Sequence, residues 1–357
     1  YSTPPDTDKP ILTHSFLNYY LLSLYFLLQR IHPKQDFSYR QYLSQGKNIA
    51  FSSKEDFSDR LPYEIEKWDT SGESLIWVKV PSISGKDTKI YMRWGRMEPA
   101  INLPSTEVWS DYLGVWHMNN YDEEKGAIDS SPYARHAKIV SSDGSAPTVP
   151  TQVDGKAGFG LQTAANTRFE AASLQKFYDD SIYDDMPPYF TVSIWAKKIG
   201  TYEGYEDVIG SFGGPTGQRY GWVLEHGSRS TDNINFYYGK KTTASASKSG
   251  GAPSIGNWNY HTITFNGRDL YIYRNGGDYT SSKSQLDSTG MGGIDKPLSI
   301  LGPNCKMSAV GDEVRISKTV LSADRIKADY QMMTVSDFVV CTLVKTLREP
   351  GFRIMVR

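Results

Sequence analysis

Pairs of carboxylates are the first residues in this sequence that could do chemistry. Glu64 and Glu66 stand at alternate positions of a strand-like run, and such positions face the same side of a strand. Two carboxyl groups on one face are what a retaining glycoside hydrolase requires. Asp312 and Glu313 are adjacent, so on a strand they point to opposite faces and cannot share a site. Because no serine, histidine and aspartate arrangement accompanies a nucleophile motif, we expect no catalytic residues.

Aromatic and polar side chains offer a second kind of chemistry, the recognition of a ligand. Sugars pack on aromatic faces and hydrogen-bond to Asn, Asp and Arg, often in loops on a rigid scaffold. The candidates for ligand contact are Tyr202, Tyr205, Tyr220, His226, Arg229, Asp232, Tyr237 and Tyr271. Residues 202–205 and 226–233 are predicted loops, whereas Tyr237 and Tyr271 are predicted to share strand faces. For each residue taken alone, packing in the surface or the core is the alternative.

One hairpin-like segment indicates which elements must position these residues. Residues 257–276 contain two runs in which apolar and polar side chains alternate. Asn266-Gly267 separates the runs and Asn275-Gly276 ends the second, and both dipeptides favour tight turns because both residues tolerate positive φ. The pattern predicts a β-hairpin with one buried face. His261 lies in the first run and is expected to be a packed strand residue.

The composition favours an all-β recognition protein. The net charge is −1 over 357 residues, so there is no electrostatic reason to expect a nucleic acid as partner. The chain has 24 Tyr and 8 Trp, residue types that suit strands and also sugar or protein contact surfaces. The two cysteines, Cys305 and Cys341, show no metal-binding spacing and leave open whether they form one disulfide.

Residues 1–35 hold a leader and an apolar segment whose status the sequence leaves open. The run 11–28 is the most apolar of the chain. It is shorter than the roughly 20 residues with which a helix crosses a bilayer. Three interpretations remain: a buried helix or strand, a signal or membrane anchor, and foreign or frame-shifted sequence. The protein is expected to associate with a membrane only if this segment is an anchor.

Residues 36–107 are predicted to form a small β domain. Its strand candidates, separated by Asp, Ser and Gly turns, are Asn48–Phe51, Leu61–Glu66, Ser74–Val80 and Lys89–Trp94. The stretches GKNIAFSS, LPYEIEKWDTSGESLIWVKVPSIS and TKIYMRWG resemble a bacterial family known as domain of unknown function 2341, over about residues 36–104. In that family a Glu-x-Glu such as Glu64-Ile65-Glu66 is ordinary. Trp68, Trp77 and Trp94 are expected in the core of this domain.

Residues 108–333 are predicted to form a larger domain of two packed antiparallel sheets, because about ten short alternating strands are joined by Gly-rich segments. A short helix follows, with Ser322 as its N-cap and with Ile326 and Tyr330 on one face. The core is expected to contain Trp116, Trp195, Trp222 and Trp258. Residues 334–357 are an unassigned tail that could supply one more strand or be terminal-fusion sequence.

Six stretches of the larger domain resemble the concanavalin A-like, laminin-G-like jelly-roll family. They are VWHMN, the run Asp129–Ala137, FTVSIWAKK, GNWNYHTITFNGRDLYIYRNG, LSILG and GDEVRISKTVLSADRIKADY. The expected fold class is therefore all-β, with a small β-sandwich-like domain followed by a two-sheet antiparallel jelly-roll and one short C-terminal helix. In large bacterial surface and secreted proteins the second domain often follows the first.

The jelly-roll resemblance also implies a structural Ca²⁺ at the edge of the sandwich. It indicates Asp312 of the GDEVRI strand as a ligand, with Asn119 and Asp129 brought near from the opening segment. Hard cations bind the oxygens of Asp and Asn together with backbone carbonyls. In the alternative, Asp312 hydrogen-bonds a turn and Asp129 forms an Asx-turn before Ser130-Ser131. No organic cofactor and no transition metal is indicated.

These observations predict a non-catalytic, extracellular or cell-surface module that binds a glycan or a protein surface, in adhesion or in substrate targeting. One alternative is a glycoside hydrolase of the same fold, which would need facing carboxylates on the concave sheet of the second domain. No alternate strand positions of that domain supply such a pair. The other alternative is a structural spacer, since a fold does not fix a function.

Overall fold

A computed structural model of the chain shows two compact units, residues 1–108 with 331–357, and residues 109–330. The structure describes residues 11–16, 22–31, 49–83, 88–94, 105–172, 190–200, 206–213, 220–226, 234–240, 242–248, 255–266, 269–278, 282–283, 297–302, 308–335 and 338–345. Within these residues the regular secondary structure is antiparallel strand, apart from a single α-helix and a short 3-10 helix at Ser105–Glu107. The all-β prediction is confirmed.

The strands are numbered β1 to β25 in chain order. Those up to β13 are Ile11–Phe16, Leu22–Ile31, Ile49–Ser52, Arg60–Leu61, Tyr63–Lys67, Ser74–Ile83, Lys89–Trp94, Tyr112–Asp122, Gly126–Asp129, Lys138–Ser141, Thr151–Asp154, Phe159–Gln162 and Thr167–Ala171. Those from β14 are Phe190–Ile199, Glu206–Gly213, Tyr220–His226, Ile234–Lys240, Thr242–Lys248, Trp258–Phe265, Leu270–Arg274, Gly277–Asp278, Ser282–Lys283, Leu298–Ile300, Ser308–Ser317 and Val339–Lys345. The helix α1 spans Ala323–Thr334.

The first unit contains a five-stranded sheet of order β25-β1-β7-β3-β4 and a three-stranded sheet of order β2-β6-β5. Tyr63 on β5 joins the two sheets. Its hydroxyl donates to the carbonyl of Ile49, and its ring lies 5.3 Å from that of Phe51. Trp77 is fully buried, as expected, whereas Trp68 is partly exposed and the side chain of Trp94 lies outside the described residues.

The apolar segment and the tail both contribute strands to this first unit. β1 pairs with β7 and with β25, and β2 pairs with β6 over its whole length. The hypothesis of foreign or frame-shifted sequence predicted no such ordered pairing and is therefore wrong. A search of the described residues for a helix long and apolar enough to span a membrane finds none.

The second unit is a sandwich of two antiparallel sheets. The eight-stranded sheet has the order β10-β13-β23-β15-β16-β17-β18-β22. The nine-stranded sheet has the order β11-β12-β24-β14-β19-β20-β21, and β8 joins it beside β24 and also pairs with β9. The predicted hairpin is present as β19 and β20, with Phe265 opposite Leu270 at its turn.

The facing sides of the two sheets enclose one apolar core. Inward positions of successive strands alternate with outward ones, so β14 buries Phe190, Val192 and Ile194 while β16 buries Trp222 and Leu224. Removing a side chain of this size from water stabilises the fold by roughly 1.5 to 3 kcal/mol. Burial of these alternating rows explains why the sequence pattern with period 2 identified the strands.

Two of the four tryptophans expected in this core lie elsewhere. Trp195 is buried on the outward side of β14, where its ring stacks 5.1 Å from Tyr260 and 5.6 Å from Tyr330 of α1. Trp258 is partly exposed, and the ammonium of Lys197 lies 5.1 Å from its ring centroid. The core prediction is therefore wrong for Trp258, because strand β19 turns this residue toward the surface.

Helix α1 begins as the sequence predicts. The Ser322 hydroxyl accepts a hydrogen bond from the amide of Arg325, and the Ser322 carbonyl accepts the first helical bond from Ile326. Arg325 donates to Asp329 one turn later at 2.8 Å. Through Tyr330 the helix packs on the outward side of the nine-stranded sheet.

Gly126, at the start of β9, is required by both backbone conformation and space. Its φ is +97°, and a Cβ there would lie 2.3 Å from the carbonyl oxygen of Ala137. Gly126→Ala should lower the free energy of unfolding by roughly 2 to 3 kcal/mol, because strain and a backbone clash add together. Gly144→Ala is the matched control, since Gly144 has a φ of +79° and open space around it. Urea denaturation should show the larger loss for Gly126→Ala, and equal losses would contradict the prediction.

Candidate functional site

Five of the inward positions toward one end of the sandwich are polar, whereas most of the core is apolar. They lie at the ends of β14, β16 and β20, at the start of β15 and in the first half of β19: Lys198, Glu206, His226, His261 and Arg274. On each of these strands the next inward residue toward the middle of the sandwich is apolar. We call these five residues the inner polar cluster.

The inner polar cluster contains an ion pair and an imidazole pair. Lys198 Nζ donates to Glu206 Oε1 at 2.8 Å, and both side chains are about 2 % exposed. His226 of the eight-stranded sheet and His261 of the nine-stranded sheet meet across the interior, with ring centroids 5.5 Å apart. Both ring nitrogens of His261 are buried and have no hydrogen-bond partner among the residues that the structure describes. A polar group buried in this way costs free energy that an apolar side chain would not.

Burial and neighbouring charge keep both imidazoles neutral. Burial lowers the pKa of His226 to about 3, and Lys198 and Arg274 contribute in the same direction. Burial also holds the pKa of His261 well below its usual value, with contributions from His226 and Arg274. The cluster therefore presents neutral rings, which can both donate and accept hydrogen bonds.

A second polar row lies on the outward side of the eight-stranded sheet at the same end. Asp207 on β15 is directly opposite Glu225 on β16, and Glu225 is opposite Asn235 on β17. Asn235 Nδ2 lies 3.4 Å from Glu225 Oε1. All three side chains are buried. We call these residues the outer polar row.

The rim of this end exposes an aromatic ring and an amide. Trp258 is partly exposed beside Lys197, while Ile255 and Asn257 are exposed just before β19. The amide of Gly256 donates to the carbonyl of Lys198, which ties this rim to the end of β14. An indole face beside amide and ammonium groups suits contact with a sugar ring and its hydroxyls.

The predicted ligand residues fall into three groups. Tyr202, Tyr205, Arg229 and Asp232 lie outside the described residues, in segments that connect β14 to β15 and β16 to β17. His226 is the last residue of β16 and is 2 % exposed in the interior. Its assignment to a rim loop is wrong, because the strand continues to this position and places it on the inward row. Tyr220, Tyr237 and Tyr271 lie on β16, β17 and β20.

These three tyrosines are not brought together by the strands. Tyr220 begins β16 and Tyr271 lies near the start of β20, at the end of the sandwich opposite the inner polar cluster. Tyr237 and Tyr271 belong to different sheets, although the sequence suggested shared strand faces. The side chains of Tyr220 and Tyr237 are outside the described residues, whereas Tyr271 is partly exposed, 6.4 Å from the ring of Tyr273.

Asp129, one of the three residues considered for Ca²⁺, is bound by protein donors. Its Oδ1 accepts from the amides of Val115 and Ser131, and its Oδ2 accepts from the Ser131 hydroxyl and the Arg135 amide, all at 2.8 to 2.9 Å. Burial raises the pKa of Asp129, although these hydrogen bonds oppose the shift. A cation at either oxygen would meet the hydrogens that already point to it.

Asp312 and Asn119, the other two residues considered for Ca²⁺, also accept hydrogen bonds from protein donors. Asp312 Oδ2 accepts hydrogen bonds from the amides of Lys156 and Ala157, and the Asn119 carbonyl accepts one from Gln152. Among the described residues, neither aspartate belongs to a group of three or more His, Cys, Asp or Glu side chains with ligand atoms within 4.8 Å of one another. These hydrogen bonds give both aspartates the role in a turn that the alternative predicts, and Ca²⁺ binding by these residues stays a prediction.

The carboxylates considered for catalysis are engaged in structural contacts. Glu66 accepts a hydrogen bond from the Trp77 indole, and Glu64 lies opposite Trp77 in the ladder. Glu313 has a positive φ of +48° at a bulge of β24 and binds His117 at 2.8 Å and Arg315. Burial alone would raise the pKa of Glu313, but His117 and Arg315 outweigh it and lower the pKa. Asp312 and Glu313 thus have separate partners, as their adjacency predicts.

Sequence patterns did not indicate the outer polar row or the ion pair in the interior. Asp207 and Glu225 face the same side only because β15 and β16 are neighbours in this register. A search along single strands for alternate carboxylates cannot detect a pair that spans two strands. The sequence does show a polar residue near the end of several apolar strands. This pattern indicates a site only when the structure shows that these strand ends lie at the same end of the sandwich.

Comparison with known protein families agrees with this architecture. Residues 45–112 match the family model of domain of unknown function 2341, and residues 179–327 match that of the concanavalin A-like lectin/glucanases superfamily. Both resemblances seen in the sequence, and their order, are confirmed. The chain is an all-β protein whose second unit is a concanavalin A-like jelly-roll.

Comparison with solved structures finds similarities at low sequence identity. Domain 4 of AbnA, a GH43 extracellular arabinanase from Geobacillus stearothermophilus solved with arabinotriose, is 13% identical with a TM-score of 0.47, and the match covers 62% of this chain and 98% of that domain. The receptor binding domain of botulinum neurotoxin D is 15% identical with a TM-score of 0.45, over 63% of this chain and 53% of that chain. The chain thus spans about half of the toxin domain. No curated protein matches the sequence.

Proposed function

We propose that this protein is a non-catalytic carbohydrate-binding module and that it binds its ligand at the end of the sandwich that carries the inner polar cluster. The observation that carries this proposal is the change from apolar to polar at five inward positions of one end. A core does not require such groups, and the two ring nitrogens of His261 bind no other described residue there. A buried polar side chain without a hydrogen-bond partner, such as His261 among the described residues, is unusual in a folded protein, and groups with strongly shifted pKa values concentrate at functional sites.

Two further observations support the same end. The partly exposed Trp258 and the exposed Asn257 lie on its rim. The segments 201–205 and 227–233, which contain four of the predicted ligand residues, connect the strands that end or begin there. The match to the lectin/glucanase superfamily agrees with a carbohydrate ligand. We place the module outside the cytoplasm, in adhesion or substrate targeting by a larger surface or secreted protein.

A glycan array with the full chain tests the proposal. We expect selective binding that is the same with calcium and with chelator, because protein donors already bind both oxygens of Asp129 and Oδ2 of Asp312. Trp258→Ala should weaken binding to the selected glycan by roughly tenfold, the contribution of one aromatic contact. Tyr271→Ala, at the opposite end, is the matched control and should bind like the wild type. An array without any hit would contradict the carbohydrate ligand, and loss of binding only in Tyr271→Ala would place the site elsewhere.

One observation favours a glycoside hydrolase as a second candidate function. Asp207 and Glu225 are direct cross-strand neighbours on the outward side of a sheet. Such neighbours have Cβ atoms about 4.5 to 5.5 Å apart, so their carboxyl groups can approach the separation used by retaining enzymes. Release of reducing sugar from an array hit, abolished by Glu225→Gln with binding retained, would identify an enzyme. Binding without release would leave the non-catalytic module.

A further inference from the structure

The turn that follows β20 brings an asparagine side chain onto the backbone of β19. The strands β20 and β21 are joined by the two residues Asn275 and Gly276, whose φ values are +52° and +78°. Positive φ at both positions is typical of a type I′ turn, which Asn-Gly favours. Asn275 binds Tyr260 twice: its amide donates to the Tyr260 carbonyl at 2.8 Å, and its Oδ1 accepts from the Tyr260 amide at 2.9 Å. The side chain of Asn275 is therefore held against β19.

Two further hydrogen bonds lead from this side chain to the rim of the sandwich. Asn275 Nδ2 donates to Asn259 Oδ1 at 3.4 Å, and Asn259 Nδ2 donates to the Asn257 carbonyl at 3.1 Å. Asn259 is buried, with 6% of its surface exposed, so water can replace these bonds only in part. We call Asn257, Asn259 and Asn275 the asparagine relay.

Backbone groups at its two ends fix the direction of the asparagine relay. A backbone amide can only donate a hydrogen bond, and a backbone carbonyl can only accept one. The Tyr260 amide therefore binds the oxygen of Asn275, which turns the NH₂ group of Asn275 toward Asn259. Asn259 must then accept through its oxygen, so its own NH₂ group faces the Asn257 carbonyl. A change at one member of the relay consequently alters the bonds of the next.

The relay ends on the peptide group that orients Trp258. The Asn257 carbonyl and the Trp258 amide share one planar peptide unit, so a bond that fixes the carbonyl also fixes the direction in which Trp258 leaves the backbone. The amide of Gly256 donates to the Lys198 carbonyl at 2.9 Å, and Trp258 pairs with Lys197 on β14. The partly exposed indole is thus presented with little further loss of conformational entropy on binding.

We propose that Asn259 and Asn275 are positioning residues for the carbohydrate, because through the relay they hold Trp258 in the orientation that stacks on a sugar ring. This inference rests on the proposed function and adds two residues that do not themselves touch the ligand. The turn requires only a residue that tolerates positive φ, and the contact with Tyr260 requires only an acceptor oxygen. Aspartate meets both requirements. The NH₂ group of Asn275 is therefore the part that serves the relay.

Asn275→Asp breaks the relay and keeps the turn. Its carboxylate still accepts from the Tyr260 amide but repels the Asn259 oxygen. If the Asn259 amide flips to donate to the carboxylate, its oxygen faces the Asn257 carbonyl instead. We expect Asn275→Asp, and likewise Asn259→Leu, to weaken binding of the glycan selected on the array by about three- to tenfold, the effect of leaving one side chain to be ordered on binding. Titration calorimetry on the full chain measures the affinity.

The chain supplies a matched control in its other Asn-Gly turn. Asn266 lies at the opposite end of β20 and accepts a hydrogen bond from the Asp269 amide through its Oδ1. Asn266→Asp adds the same charge and keeps the same kind of acceptor. This variant should bind the glycan like the wild type.

Two readouts separate positioning from a merely structural role. In the Trp258→Ala background, Asn275→Asp should cause no further loss of affinity, because the relay acts through the indole. In the free protein, hydrogen exchange of the amides of residues 256–258 should be faster in Asn275→Asp, while the amides of β15 and β16 exchange as in the wild type.

The contrary outcomes distinguish this inference from the proposed function. Wild-type affinity in Asn275→Asp, or an equal loss in the Trp258→Ala background, overturns the inference and leaves the proposed function standing. If Trp258→Ala binds the selected glycan like the wild type, the proposed site fails and the inference fails with it. Unchanged exchange at residues 256–258 in Asn275→Asp overturns the inference whatever the array shows.

Discussion

Asp129→Ala should lower the free energy of unfolding of the second unit by roughly 3 to 5 kcal/mol, since four hydrogen bonds to buried or partly buried donors are lost together. The amides of Val115, Ser131 and Arg135 would be left without the carboxylate that now accepts from them. Water can satisfy only part of this loss, because the position is 3% exposed. Urea denaturation of the full chain, followed by tryptophan fluorescence, measures the change.

Two variants define what the Asp129 result means. Asp122→Ala is the matched control, because Asp122 also accepts two backbone hydrogen bonds, from Glu124 and Lys125, but in an exposed turn where water can replace them. Asp129→Asn should lie between the wild type and Asp129→Ala, since one amide oxygen can still accept while the NH₂ group faces donors. If Asp129→Ala is no less stable than Asp122→Ala, the carboxylate does not hold the loop.

Mild acid should destabilise the second unit through the buried histidines. Both have a pKa in the folded state below the unfolded value of 6.5. Below pH 6.5 the unfolded chain therefore binds more protons than the folded chain, and stability falls as the pH drops. Between pH 6.5 and 4.5 each histidine should cost roughly 2 kcal/mol, and the loss for His226 continues toward pH 3. Denaturation midpoints at a series of pH values measure the slope.

The pH window separates the histidines from Glu313. The lowered pKa of Glu313 also makes stability fall in acid, but that loss begins only below the unfolded value of about 4.5. In the double variant His226→Leu and His261→Leu, the slope between pH 6.5 and 4.5 should become much shallower. A wild type whose stability is flat across this window, or a double variant with an unchanged slope, would contradict buried neutral imidazoles.

Local patterns in the sequence were enough to predict elements whose cause is local. The alternation in residues 261–265 and 270–274 reports which side chains face the core, and the hairpin forms there. Ser322 caps α1 because a cap involves only the next three residues. The two family resemblances add the order of the domains, and both are confirmed.

The site could not be predicted in the same way, because the residues that form it are distant from one another in the sequence. His226 and His261 meet only across the two sheets, and Asp207 faces Glu225 only through strand register. Trp258 begins an alternating run and so looks like a core residue, but the strand face decides its exposure. The hydrogen bonds of Asp129 likewise depend on β8 passing beside the loop.

The strand order of the two units has a consequence for synthesis on the ribosome. β23 lies between β13 and β15 in the eight-stranded sheet, and β24 lies beside β8, β12 and β14 in the nine-stranded sheet. Both sheets of the sandwich are therefore complete in their interior only after residues up to about 317 have left the exit tunnel. The five-stranded sheet of the first unit is completed later still, because its strand β1 pairs with β25, which is translated last of all the strands. Neither unit can be finished in the order in which it is translated. Apolar strands of the nascent chain therefore stay without their partners for most of its elongation, and we expect chaperones to bind the chain during that interval.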